Sequence, residues 1–169
     1  MTDLRYPIEP LQLLRKMTAD DRTSTMTALE TTPVSFRRAA PGLSEKQVDT
    51  LRRPGGWTLR RLTHHLPDGH VNGYVRMRTA LTRHRPTVRM YNEDSWSRSE
   101  DYRTTPPEIS RSLLQVVHHR RTILLQAASI TNWSQTGIDS GVGEITLAGL
   151  VALCAWRGEH HRAHVTALG

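Results

Sequence analysis

Residues 57–82 read WTLRRLTHHLPDGHVNGYVRMRTALT, and this stretch decides the fold. Thr58 stands just ahead of the apolar positions, where a helix N-cap belongs. Pro54-Gly55-Gly56 before it is the clearest breaker in the chain. Leu59, Leu62, Leu66, Gly73, Met77, Ala80 and Leu81 then follow at steps of three and four, which outlines one face of a helix running to Thr82.

Three more helices are read outward from this one. The first runs from Thr18 to Ala39, with Met26, Leu29, Val34 and Phe36 as its apolar points. Its acidic start suits a helix N-terminus, and Pro33 is expected to kink or split it. Pro41-Gly42 marks a loop, and Ser44-Glu45-Lys46-Gln47 has the form of a capping box opening one short turn. The next long helix spans Pro107 to Ser129, with Ile109, Leu113, Val116, Val117, Ile123 and Leu124 assigned to its buried side. Thr146 caps the last helix, which continues to Leu168 and is almost wholly apolar in its first half. Residues 84–107 and 130–145 are read as surface loops, the first long enough to suggest function. Four helices and no convincing strand predict an all-α, antiparallel four-helix bundle, one domain over residues 1–169.

Composition narrows the function classes. The chain has 169 residues, 37% hydrophobic and 23% charged, which is a globular composition. The longest apolar run, Leu147 to Trp156, is about half of the ~20 residues that a bilayer span needs. No basic-then-apolar segment opens the sequence, so a cytoplasmic protein with no membrane partner is expected. The single cysteine, Cys154, excludes an internal disulfide and reads as a small core residue. Net charge is +7, nearly all of it from arginine, since Lys16 and Lys46 are the only lysines. The arginines are spread in short pairs and there is one Phe, so nucleic acid is not the expected partner.

Nine histidines carry the chemistry. Six form the pairs His64-His65, His118-His119 and His160-His161, with His70 and His164 close to the first and last. On a helix, positions 157, 161 and 164 lie within about 60° of one another. Two histidines from that face and one from the helix at 59–82 would supply three nitrogens and leave a fourth position open, the arrangement of a catalytic metal. Histidine pairs also sit idle on helix surfaces, and His118-His119 is read that way, because Arg120-Arg121 beside it would oppose a cation.

The motifs resemble a known family. Gly55-Gly56-Trp57-Thr58, His64-His65-Leu66, Asp68, His70 and Asn72 are similar to the "GGWT…HHLADSHMN" signature of the YfiT-type members of the DinB superfamily. Tyr6-Pro7-Ile8 resembles the family's opening, and Pro86-Thr87 with Tyr91-Asn92-Glu93 its "PTIKPYDE" loop. Trp156 to His164 resembles its final "WHSHHHIAH". The resemblance implies a four-helix bundle, a homodimer, and a divalent zinc or nickel ion acting on a small-molecule substrate. The implied activity is metal-dependent hydrolysis, or transfer of a low-molecular-weight thiol as cosubstrate; the alternative is a non-catalytic bundle. The implied ligands fall on His65, on His161 and on the position four before it. That position is Arg157, which has no lone pair to give. His164 is the expected substitute. Pro67, Gly69, Gly73 and Arg121, the last replacing a tryptophan of the family, are expected to loosen the bundle.

Overall fold

A computed structural model describes residues 7–11, 16–39, 45–49, 51 and 55–166. Tyr6, Ser44, Pro54 and Leu168 lie outside the described residues. Four long helices form the bundle: α1 (Ala19–Ala39), α3 (Leu59–Thr82), α6 (Pro107–Gln126) and α7 (Leu147–Thr166). Short helices α2 (Glu45–Val48), α4 (Glu93–Trp96) and α5 (Asp101–Thr104) lie in the connections. α3 packs against α6 and α7, and α1 packs against the same two, so α1 faces α3 across the bundle.

The helix ends follow local chemistry. The Thr58 hydroxyl accepts from the Arg61 amide, and the Thr146 hydroxyl accepts from the Gly149 amide. Each satisfies one otherwise open donor of a first turn. Gly55 has φ +70°, the left-handed conformation that the breaker before α3 requires. Pro33 and Pro67 both lie inside continuous helices, so α1 is not split.

Helix directions follow from the contacts. His64 meets Ser110 and His70 meets His118, so α3 and α6 run parallel. His65 meets His161 and Gly73 faces Cys154, so α3 and α7 run antiparallel. Arg37 pairs with Glu108 and the Leu29 carbonyl with His118, so α1 and α6 are antiparallel too. A parallel neighbour cannot be reached by a tight turn. After α3, the chain must therefore return along the bundle before α6 begins.

That return is residues 83–106. It is not the surface loop read from sequence: it holds strand β1 (Thr87–Val88), α4 and α5. The stretch before α7 is likewise more ordered than expected. Strands β2 (Thr136–Asp139) and β3 (Gly143–Thr146) form an antiparallel pair, and β1 joins β2 in parallel. Asp139 is buried; it accepts from the Gly141 amide and pairs with Arg76 of α3 at 3.1 Å, which ties the sheet to the bundle.

The core holds Leu29, Met77, Leu125, Leu147 and Val151 at one end and Phe36, Leu59, Leu66, Leu114 and Val165 at the other. Two expectations about burial fail. Val34 of α1 is exposed. On α6, Ile109, Leu113, Val116 and Ile123 face outward, Ile109 and Val116 at 60% and 59% exposure, while Val117 is buried and Leu124 partly so. The inward face of α6 is Ser110, Leu114, Val117, His118, Arg121 and Leu125. Half of it is polar, and those groups bond inside the bundle, so apolar spacing alone pointed to the wrong side.

Candidate functional site

α3 and α7 bring His65 and His161 together near one end of the bundle, with ring centroids 4.9 Å apart and rings nearly perpendicular. His65 is 3% exposed. Burial, with the charges of Arg157 and Arg61, pushes its pKa down to about 4. Burial holds His161 well below the usual histidine range as well. Both rings are therefore neutral at pH 7 and keep a lone pair. Nδ1 of His161 is buried without a hydrogen-bond partner.

The return segment supplies the wall. The Tyr91 hydroxyl lies 3.2 Å from His65 Nδ1. Burial raises the pKa of Tyr91, so its phenol stays protonated. Glu93, the first residue of α4, points one carboxylate oxygen at His65 Nε2, 3.9 Å away, and the other at the Arg157 guanidinium, 3.6 Å away. Trp57 packs edge-on against His65 and carries the Arg61 guanidinium over its own ring. Asp68 faces elsewhere and accepts from the Tyr102 hydroxyl at 2.5 Å.

His164 is placed differently from His65 and His161. Its Nε2 lies 2.9 Å from Nε2 of His160, while its ring centroid is 6.2 Å from that of His161. Among the described residues, no three His, Cys, Asp or Glu side chains stand close enough together, as placed, to hold a metal ion.

A second histidine cluster lies deeper. His118 is buried, not on the surface as its pair was read, whereas His119 is exposed. His118 Nδ1 donates to the Leu29 carbonyl at 2.5 Å, and its Nε2 lies 2.7 Å from His70 Nδ1. Arg121, fully buried, reaches both rings. No signal in the sequence marked this cluster, because the apolar spacing of α6 put His118 and Arg121 on its outward side.

Comparison with known proteins agrees with this architecture. The family model of the DinB superfamily matches residues 28–165, and the chain belongs to that superfamily. It is 36% identical over 168 residues to a protein of Bacillus cereus (strain AH820) named "Putative metal-dependent hydrolase", covering 99% of this chain and 96% of that one. A Bacillus anthracis protein (strain A0248) of the same name matches at the same identity and coverage. Among solved structures, YfiT of Bacillus subtilis superimposes with a TM-score of 0.94 at 33% identity, over 99% of this chain and 96% of that one. It is described as a probable metal-dependent hydrolase with an unusual four-helix bundle topology. No described helix is long and apolar enough to cross a membrane.

Proposed function

We propose that the chain is a metal-dependent hydrolase whose divalent zinc or nickel ion is held between His65 and His161. The observation that carries this reading is the meeting of two buried, neutral imidazoles beside a carboxylate. The donor chemistry fits such an ion. Nitrogen donors suit zinc and nickel, and the unpartnered Nδ1 of His161 is a buried polar atom in want of a partner. His164 is the candidate third ligand, provided that it parts from His160. When bound, the ion would supply Lewis acidity and lower the pKa of a bound nucleophile.

The protein side chains do the rest. With an ion held at Nε2, His65 would donate its Nδ1–H to the Tyr91 oxygen 3.2 Å away, which would fix the ring in the ligating tautomer. Arg157 and Arg61 make the surroundings electropositive, which favours an anionic group on a small-molecule substrate. A low-molecular-weight thiol could serve as nucleophile in place of water at the same position, because its thiolate is the reactive form. We further propose that the exposed α6 stripe, Ile109, Leu113, Val116 and Ile123, is covered by a second copy. Its steps of four, three and seven are those of a helix-pairing seam.

Metal analysis of the purified protein, after loading with zinc or nickel and removal of the excess, tests the first proposal. Stoichiometric metal in wild type, lost in His65→Ala while the fold is kept, is the expected result. Metal-free wild type, or full loading of the variant, would overturn it. Ester and amide substrates, with and without added thiol, then distinguish hydrolase from transferase. Light scattering tests the dimer, which Val116→Glu should dissociate.

A further inference from the structure

We propose that Arg157 binds the carboxylate of a small organic acid beside His65 and His161, in competition with the Glu93 side chain. The inference rests on the reading of this site as a substrate pocket and names the group by which the substrate is held.

Arg157 lies on α7 four residues before His161, and its side chain is 21% exposed. Its charge acts on the rings of both His65 and His161, so it faces the pair. A guanidinium presents its N–H donors as a planar fork, matched to the two oxygens of a carboxylate. That fork is nearly unspent. Among the described residues its ion-pair partner is Glu93, with an oxygen 3.6 Å from Nη1. A charge-assisted hydrogen bond is about 2.7–2.9 Å long, so even this contact is not a formed bond. Glu93 is partly exposed on a four-residue helix, where little packing holds it in place. Arg61, the other cation near His65, is differently engaged. It donates to the Ser97 hydroxyl, lies 4.0 Å from Asp94 and covers the Trp57 ring. Arg157 is therefore the cation with donors to offer.

Charge selects the ligand. The groups around Arg157 are the neutral rings of His65 and His161, the protonated Tyr91 phenol and the Glu93 carboxylate. A monoanionic carboxylate replaces Glu93 at the guanidinium like for like. A phosphate monoester loses its second proton near pH 6, so at pH 7 it brings a second negative charge beside Glu93 and is repelled. The wall next to the site is aromatic. Trp96 is 44% exposed and its ring centroid lies 4.6 Å from that of Tyr91, whose hydroxyl meets His65. An acid with a flat apolar body, such as benzoate, matches both features.

Calorimetric titration of benzoate into wild type, Arg157→Gln and Glu93→Gln at pH 7 is the test, with phenyl phosphate as the matched dianion. The proteins are treated with a chelator first, so that no bound ion can take the carboxylate. Far-ultraviolet circular dichroism confirms that each variant is folded. Arg157→Gln should weaken benzoate binding by about tenfold or more. Glu93→Gln should strengthen it, because the competing carboxylate is gone, and damage to the fold would not produce a gain. That variant decides the question if Arg157→Gln does not fold. Benzoate that fails to bind wild type, or binds wild type and Arg157→Gln equally, would overturn the proposal, as would unchanged or weaker binding in Glu93→Gln. Phenyl phosphate binding as tightly as benzoate would overturn the choice of a carboxylate. Zinc uptake by the untreated wild type is read separately. A protein that binds benzoate through Arg157 but takes up no zinc refutes the metal reading and keeps this anchor, and zinc uptake without benzoate binding does the reverse.

Discussion

Replacing Arg121 with methionine should stabilise the protein, although Arg121 is a fully buried residue that contacts two others. Its guanidinium has no exposure, and among the described residues no carboxylate pairs with it. Its neighbours are His70, His118 and the Cys154 thiol. The contacts are worth less than their number suggests. His118 Nδ1 carries a proton, because it donates to the Leu29 carbonyl, so the approach of Arg121 to that nitrogen at 3.0 Å is not a hydrogen bond. Each neutral ring offers one lone pair, and Nε of Arg121 is buried without a partner. At most two bonds to imidazole and one to sulfur remain, and none is to a carboxylate that would offset the charge. Against them stands the cost of burying an uncompensated ion, several kcal/mol even after relaxation.

The decisive point is what methionine leaves behind. His70 Nδ1 and His118 Nε2 are 2.7 Å apart, so without Arg121 one can donate to the other and neither is orphaned. The unbranched thioether fills much of the vacated space. A net gain of about 1–3 kcal/mol follows, or roughly 2–4 °C in melting temperature for each kcal/mol in a chain of this size. Calorimetry at pH 7 measures it. A second reading comes from nuclear magnetic resonance. The His118 pKa, held down to about 3 by burial and by Arg121, should rise once that charge is gone. A melting temperature that falls by several degrees would refute the reasoning, because the guanidinium bonds would then outweigh the buried charge.

Three further outcomes are expected. Arg157→His should raise zinc affinity by about tenfold or more, since it removes a cation and adds a nitrogen one turn before His161; equal affinities in a zinc titration at fixed pH would refute this. Acid should destabilise the fold through His118: its folded pKa, about 3, is below the unfolded value of 6.5, so the unfolded chain binds the extra proton and stability falls as pH drops from 6.5 towards 3. Urea denaturation of wild type and His118→Gln across that window should differ in slope by up to about 1.4 kcal/mol per pH unit, and parallel curves would contradict the assignment. Gly73→Ala should cost about 1–2 kcal/mol, because its new Cβ would fall 2.5 Å from the Cys154 sulfur. In a Cys154→Ala background the same change should cost nothing, and additive effects in the two backgrounds would show that the contact does not govern it.

The long helices were legible because their signals are local. Thr58, Gly55 and the three-and-four spacing placed α3 within a residue of its observed start and at its observed end. The pairing of His65 with His161 was legible from helix phase and family motif together, and the structure places their rings 4.9 Å apart. What failed depended on partners distant in sequence. The inward face of α6 holds Ser110, His118 and Arg121, which count as outward residues until His64, His70 and Leu29 are known to receive them. The hairpin was different. Thr136-Gly137-Ile138-Asp139 and Gly143-Glu144-Ile145-Thr146 flank a glycine turn, which is a hairpin signal, although the polarity of residues 130–145 alone points to a loop.

The direction of the helices explains why a third chain segment reaches the pair of His65 and His161. If α3 and α6 were antiparallel neighbours, a short turn would join them and no chain would pass beside His65. Because they run parallel, residues 83–106 must return from the end of α3 towards its start. That path carries Tyr91 to one nitrogen of His65 and Glu93 to the other. The site is therefore built from three chain segments, and only one of them depends on the phase of α7. Position 157 supplies no donor from α7, while His65 of α3 and Tyr91 and Glu93 of the return segment still meet beside His161. The Arg157 guanidinium itself lies 3.6 Å from the Glu93 carboxylate. On this argument, shortening the return segment should lower zinc affinity more than Arg157→Ala does, because it would remove both the tyrosine and the carboxylate that face His65, and equal affinities in a zinc titration of the two variants would refute it.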